Sequence, residues 1–213
     1  MYQSYEKTVL ADSPIGYWRL GEAAGTTAVD ISGTGNHATY TSVTLGQSGG
    51  LTGDSNTSAQ FNGSTSTMLV PANSSYTSTG NISVEFWFQW NPTTPGASAP
   101  RDDLFTWKQS NNVDFGIWVA GTSLCVYSYL SGGGPVCATI TGINGIWHHL
   151  VLTRTPSATE LYLDGTNLNL TLTNHAISNW DNVAMRFGSN SGGAYSLLGS
   201  IDDIAVYTSQ LTQ

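Results

Sequence analysis

Basic residues are what this 213-residue chain has least of: six Lys and Arg stand against fourteen Asp and Glu, a net charge of −8. Without a basic face there is nothing to neutralise phosphates. This argues against nucleic acid and anionic membrane partners and leaves neutral sugars, cations and protein surfaces. No apolar run approaches the roughly 20 residues that span a bilayer, so membrane insertion through a helix is not expected. Met1-Tyr2-Gln3-Ser4-Tyr5-Glu6-Lys7 has neither the charged nor the apolar region of a signal peptide, and the chain reads as soluble with no export signal in view. No useful length of sequence repeats its apolar residues every 3.6 positions, which argues against a helical protein.

Apolar residues still make up 39% of the chain, and the 24 glycines lie among many Ser, Thr and Asn, a composition suited to short strands and tight turns. Strand-like segments run from Ile15 to Leu20, Ala59 to Phe61, Thr67 to Val70, Ile82 to Trp90, Leu104 to Lys108 and Val113 to Ala120. Others follow from Leu124 to Tyr129, Val136 to Ile140, Trp147 to Thr155, Thr159 to Leu163, Ala184 to Gly188 and Gly199 to Tyr207. About a dozen antiparallel strands must fold into two packed sheets, because one open sheet of that width curls or splits. The expectation is an all-β jelly-roll sandwich of two antiparallel sheets forming one domain over residues 1–213. Ser32 to Ser58, rich in Gly, Ser and Thr, reads as irregular, and the Pro-rich stretch from Asn91 to Asp103 as a long loop, either binding or mobile.

Alternation sorts the strand residues into faces. Ile82, Val84, Phe86, Phe88 and Trp90 share a core face, which leaves Trp87 outward among Ser83, Glu85 and Gln89. Trp118 is likewise outward beside Asp114 and Gly116. Outward aromatics are what sugar rings stack on, so Trp87 and Trp118 are candidate ligand-binding residues; cross-strand packing under a loop is the plainer explanation.

Residue types that could carry chemistry are few. Cys125 and Cys137 flank Leu130-Ser131-Gly132-Gly133-Gly134-Pro135 and would meet across a hairpin, as a disulfide or as two buried thiols. His148 and His149 point to opposite faces of a strand and cannot chelate one ion; His149, on the face of Trp147 and Val151, is expected to be a satisfied core histidine. The four Glu include no Glu-x-Asp-x-x-Glu strand, and no Gly-x-Ser-x-Gly elbow or phosphate loop occurs, so an enzyme is not expected. Five Asn-x-Ser/Thr sequons, at Asn56, Asn62, Asn73, Asn81 and Asn169, read as chance matches in so Ser- and Thr-rich a chain. Asp30-Ile31-Ser32-Gly33-Thr34-Gly35-Asn36 places oxygen-bearing side chains around a glycine-permitted turn that suits a hard cation, with Asp202 as an opposing carboxylate. Asp30, Asn36 and Asp202 are therefore candidate Ca2+ ligands, against an Asx-stabilised turn and a surface acid. Alternation sets Asp202 and Asp203 on opposite faces, which excludes a catalytic dyad.

Taken in order, Tyr17-Trp18-Arg19-Leu20-Gly21-Glu22, Asp30 to Asn36, Ala59-Gln60-Phe61-Asn62-Gly63 and Ile82-Ser83-Val84-Glu85-Phe86-Trp87 resemble the laminin G-like, concanavalin A-like domains of bacteria and phages. Trp147-His148-His149-Leu150, Tyr162-Leu163-Asp164-Gly165 and Ile201-Asp202-Asp203-Ile204-Ala205-Val206-Tyr207 extend the resemblance through nearly the whole chain. It implies a jelly-roll sandwich, often with a structural calcium, and a non-catalytic role in binding glycans or proteins. The expected function is a glycan-binding or adhesive domain, extracellular or displayed on a phage capsid or tail. The alternative is a structural decoration protein that contacts other subunits of a virion.

Overall fold

The computed structural model describes residues 4–77, 80–93, 100–108, 114–128, 134–170, 183–190 and 192–212. A helix, α1 (Tyr5–Ala11), precedes β1 (Gly16–Trp18), β2 (Thr27–Ala28), β3 (Ala38–Thr41), β4 (Thr44–Ser48), β5 (Thr57–Asn62), β6 (Thr67–Val70) and β7 (Ile82–Trp90). Then come β8 (Asp102–Lys108), β9 (Asp114–Ala120), β10 (Ser123–Ser128), β11 (Val136–Thr139), β12 (Trp147–Arg154), β13 (Thr159–Leu163), β14 (Thr166–Asn167), β15 (Met185–Phe187) and β16 (Leu198–Tyr207). Among the described residues no helix is long and apolar enough to cross a membrane.

The strands form two antiparallel sheets of eight, the jelly-roll sandwich that the strand pattern predicts. The first runs β14-β13-β12-β7-β16-β5-β4, with β1 also on β16; the second runs β11-β10-β9-β8-β15-β6-β3-β2. Between them lies the main core, and β7 supplies it as alternation requires: Ile82, Val84, Phe86, Phe88 and Trp90 are all fully buried. From β9 of the facing sheet come Phe115, Ile117 and Val119.

A second, small cluster lies on the outer face of the first sheet. There Val9 of α1 packs with Tyr17, Ala205 and Tyr207, joined by the partly buried Tyr5, Leu10 and Leu211. A seven-residue helix is marginal in isolation, so α1 persists because it docks its Tyr5 and Val9 side. Two helical turns are too short for a periodicity scan, which is why the sequence reading missed it. The Ser32 to Ser58 stretch, expected to be irregular, holds β3 and β4 instead. β4 is the end strand of its sheet and β3 lies between β6 and β2; in both, alternate positions stay in water, so Thr, Gln and Ser need not give way to apolar residues.

The last strand departs from alternation at a decisive place. One edge of β16 pairs with β7 throughout; the other pairs with β5 at Leu198 to Ile201 and with β1 at Ile204 to Val206. At this changeover the register with β7 shifts between Asp202 and Ala205, and Asp203 takes a φ of 46°. Ile201 and Ile204 consequently both face the main core, and both carboxylates between them reach partners on the outer side. The expected separation of Asp202 and Asp203 onto opposite faces is thus corrected by a bulge, which consumes one residue of the two-residue period.

Candidate functional site

The densest polar constellation lies where α1 crosses the outer face of the first sheet. Glu85 faces outward from β7 but is buried, because α1 and the C-terminal segment cover it. Tyr207, on the neighbouring β16, donates its hydroxyl to Glu85 Oε1. From β12, His149 Nε2 lies 3.1 Å from Glu85 Oε2, and the Tyr5 hydroxyl is 3.1 Å from that nitrogen and 3.5 Å from Glu85 Oε2. Burial, and then the Glu85 charge, push both phenols above their ordinary pKa, so Tyr5 and Tyr207 stay protonated.

His149 therefore lies on the outer face, not in the core as the sequence suggested. It is His148 that turns inward, beside Phe88, with Nδ1 2.7 Å from Asp164 Oδ2.

Trp87 belongs to this constellation. Its indole stacks on the His149 ring at 5.0 Å and 29°, and Tyr5 meets it edge-on at 6.2 Å. Trp118 does not: it projects from β9 of the other sheet, with the Arg101 guanidinium 5.2 Å from its ring centre. The two tryptophans occupy opposite faces of the sandwich and cannot share one ligand. In the stretch expected to be a long loop, residues 94–99 lie outside the described residues, as does His175.

Beside Glu85 a cavity of about 260 Å³ opens between α1, the sheet and the C-terminal segment. Tyr5, Val9 and Asp12 form its roof, Glu85, His149, Val151 and Thr153 its floor, and Tyr162, Gly165 and Leu211 its sides. Thr153 is 2% exposed and its Oγ1 has no hydrogen-bond partner. The sheet side of this site is legible from the face assignment, since Glu85, Trp87, His149, Val151 and Thr153 all alternate outward on the adjacent β7 and β12, whereas its α1 side is not.

The candidate calcium ligands divide in two. Asp30 Oδ1 accepts the backbone N–H groups of Tyr17 and Ser32, each at 2.9 Å; Oδ2 accepts the Asn36 N–H at 2.8 Å and the Thr34 hydroxyl at 2.9 Å. Burial alone would raise this pKa, but the donated bonds outweigh it and hold the carboxyl below its usual range. Asn36 is equally occupied, its amide nitrogen directed at Ile15 O, Thr34 Oγ1 and Ser75 Oγ and its oxygen accepting from Asn73. The turn is closed by its own donors, and these two residues do not fit a cation as they stand.

Asp202 is held elsewhere, by the Gly50 N–H at 2.9 Å and the Asn56 amide at 3.2 Å. No hydrogen bond joins it to the Asp30 turn among the described residues. Its carboxyl is 1% exposed and pushed up to about 7, by burial first and by the Asp203 charge second. Asn56 Nδ2 occupies a point on which Arg19 O at 2.7 Å, Thr57 O at 3.1 Å and Asp202 Oδ1 converge. These three oxygens are of the hard kind that Ca2+ takes, but the Asn56 amide holds the point they share. Asp203, by contrast, has a cation: Arg19 reaches it at 3.2 Å, while also holding Glu6 at 2.9 Å and Asp54 at 2.6 Å. On the outer face of the other sheet, Cys125 and Cys137 stand opposite each other on β10 and β11 and are joined as a disulfide.

Comparison with known proteins bears on this arrangement. A family model described as the concanavalin A-like lectin/glucanases superfamily matches residues 61–213. Among curated protein sequences none matches. Among solved structures, the botulinum neurotoxin serotype G binding domain superposes with a TM-score of 0.71 at 12% identity, over 93% of this chain and 48% of that one. The binding domain of Paraclostridial Mosquitocidal Protein 1 gives 0.69 at 16%, over 95% and 50%. Botulinum neurotoxin type C, whose cell entry depends on interaction with two ganglioside molecules, gives 0.69 at 12%, over 97% and 50%. This chain spans about half the length of these relatives, and at such identities the likeness is one of fold.

Proposed function

Because this chain belongs to the concanavalin A-like lectin/glucanases superfamily, we propose that it is a non-catalytic binding domain for surface glycans and that it binds them on the outer face under α1. The observation that carries this reading is that the Tyr5 and His149 rings meet the Glu85 carboxylate in the lining of an open cavity, with Trp87 stacked against His149 outside that lining. A sugar ring offers C–H faces to aromatic rings and hydroxyls to a carboxylate, and this surface has both within one site. The neighbours of similar fold support a binding role in general, since two of them are binding domains and the third is from a toxin whose cell entry depends on two ganglioside molecules. Against catalysis stands the state of Glu85: two tyrosines and a histidine surround its carboxylate, and its strand carries no second acid.

The setting we propose is display outside the cell or on a phage capsid or tail, supported by the Ser-, Thr- and Gly-rich, Lys- and Arg-poor composition. We also propose a structural Ca2+ held by Asp202 with the Arg19 and Thr57 carbonyls, after Asn56 swings aside. When bound it would supply positive charge to a buried carboxylate. A glycan array probed with the whole chain, with and without chelator, tests the binding role: retention of at least one glycan class is expected, and no retained glycan overturns it.

A further inference from the structure

Resting on that reading, we propose that the α1-roofed cavity is the primary sugar subsite and that it takes a single uncharged pyranose, discriminating against acidic sugars. Size is the first argument. About 260 Å³ is below the range of pockets that take drug-sized ligands and suits one ring.

Charge is the second. Glu85 and Asp12 line the cavity, and Glu160 sits just beyond, accepting the Tyr162 hydroxyl at 3.0 Å, whereas among the described residues no Lys or Arg lines it. An anionic sugar entering here meets like charge and finds no guanidinium or ammonium to pair with its carboxylate. Glu85 itself already accepts from the Tyr207 and Tyr5 hydroxyls and has His149 Nε2 at 3.1 Å, so the site does not need a cationic ligand to satisfy it. A neutral ring with several hydroxyls fits both conditions.

The third argument is the Thr153 hydroxyl, unpartnered on the cavity floor and 2% exposed. Buried hydroxyls ordinarily have a partner, and this one, shut off from solvent just beneath the floor, gains one from a ligand hydroxyl when the side chains above it part. The rings of Tyr5 and Tyr162 provide apolar walls on two sides.

Methyl glucoside and methyl glucuronide differ only in whether C6 carries a hydroxyl or a carboxylate, and titrating each while following Trp fluorescence and the NMR signals of the Thr153 and Val151 methyl groups tests the proposal. The neutral glycoside is expected to shift those signals and to bind on the order of tenfold more tightly than the acidic one. Thr153→Val, which keeps the shape and loses the hydroxyl, should weaken glucoside binding, and Val151→Phe, which fills the floor, should abolish it. Asp12→Lys at the exposed end of α1 should raise affinity for the glucuronide. Equal or tighter binding of the glucuronide by the unmodified chain overturns the proposal. So does a positive glycan array with no shift at Thr153 or Val151 by any neutral pyranoside; that outcome leaves the glycan-binding role standing at another surface, whereas a blank array removes both.

Discussion

Tyr207 and Glu85 join neighbouring strands through a hydrogen bond from the phenol to Oε1, on the face of the sheet turned away from the main core. The bond lies under α1, out of water, where a carboxylate is costly unless donors surround it. Tyr207→Phe removes the donor and leaves the acceptor buried, at an expected cost of about 1 to 3 kcal/mol. Tyr5→Phe should cost less, because the Tyr5 hydroxyl is 3.5 Å from the carboxylate and its nearer neighbour, His149 Nε2 at 3.1 Å, keeps Glu85 beside it at 3.1 Å. Urea unfolding of both variants measures the difference, and an equal cost for the two would show that the network is not centred on Glu85.

Much of this fold is written in the two-residue period. The core face of β7 and the outward position of Trp87 follow from alternation, and the meeting of Cys125 with Cys137 follows from their equal spacing about Ser131. What alternation cannot carry is its own interruption. The bulge at Asp202 and Asp203 is set by β16 changing partner from β5 to β1, a tertiary event with no local signature. The Asp30 turn illustrates the same limit: its oxygens have the right chemistry for calcium, but whether they face an ion or backbone N–H groups depends on how Tyr17 and Asn36 arrive from either side. The site under α1 was half legible. Its sheet residues could be assigned to one face, whereas its roof is a helix of two turns that only docking stabilises.

Calcium should raise the melting temperature through Asp202 and not through Asp30. An ion that binds only the folded state adds about 2.7 kcal/mol at a hundredfold excess over its Kd, which for a chain of this size is roughly 5 to 10 °C. Chelator should reverse the gain, Asp202→Ala should remove it, and Asp30→Asn should lower stability without changing the increment. An unchanged melting curve with and without chelator would sink the calcium assignment.

With chelator present, the same carboxylate predicts a pH dependence of definite sign. The Asp202 pKa rises from 3.8 to about 7 on folding, so between these values the folded state holds more protons than the unfolded one. Stability then falls as pH climbs through this window and is flat above it, by on the order of 4 kcal/mol at most. Asp203 and Asp102 are also raised by burial and act in the same direction, whereas Asp30 is lowered and acts only below the window. Melting temperatures at pH 5 and pH 8 should therefore rank pH 5 higher, with a smaller gap in Asp202→Asn. A higher value at pH 8 in the unmodified chain contradicts the raised pKa.

The disulfide should act locally as well as globally. Cys125 and Cys137 are 12 residues apart, and closing a loop of that size in the unfolded chain is worth about 3 kcal/mol. Its strands, however, are at the margin of the second sheet: among the described residues β11 pairs only with β10, far from the β7 and β16 pair that centres the other sheet. Reduction should lower the melting temperature by roughly 6 to 12 °C and at the same time speed amide exchange in β10 and β11 more than in β7 and β16. The Cys125→Ala, Cys137→Ala double variant should reproduce both effects without reductant. If exchange instead rose uniformly over both sheets, the hairpin would be part of the same cooperative unit as the core, and the bridge would act only through the unfolded chain.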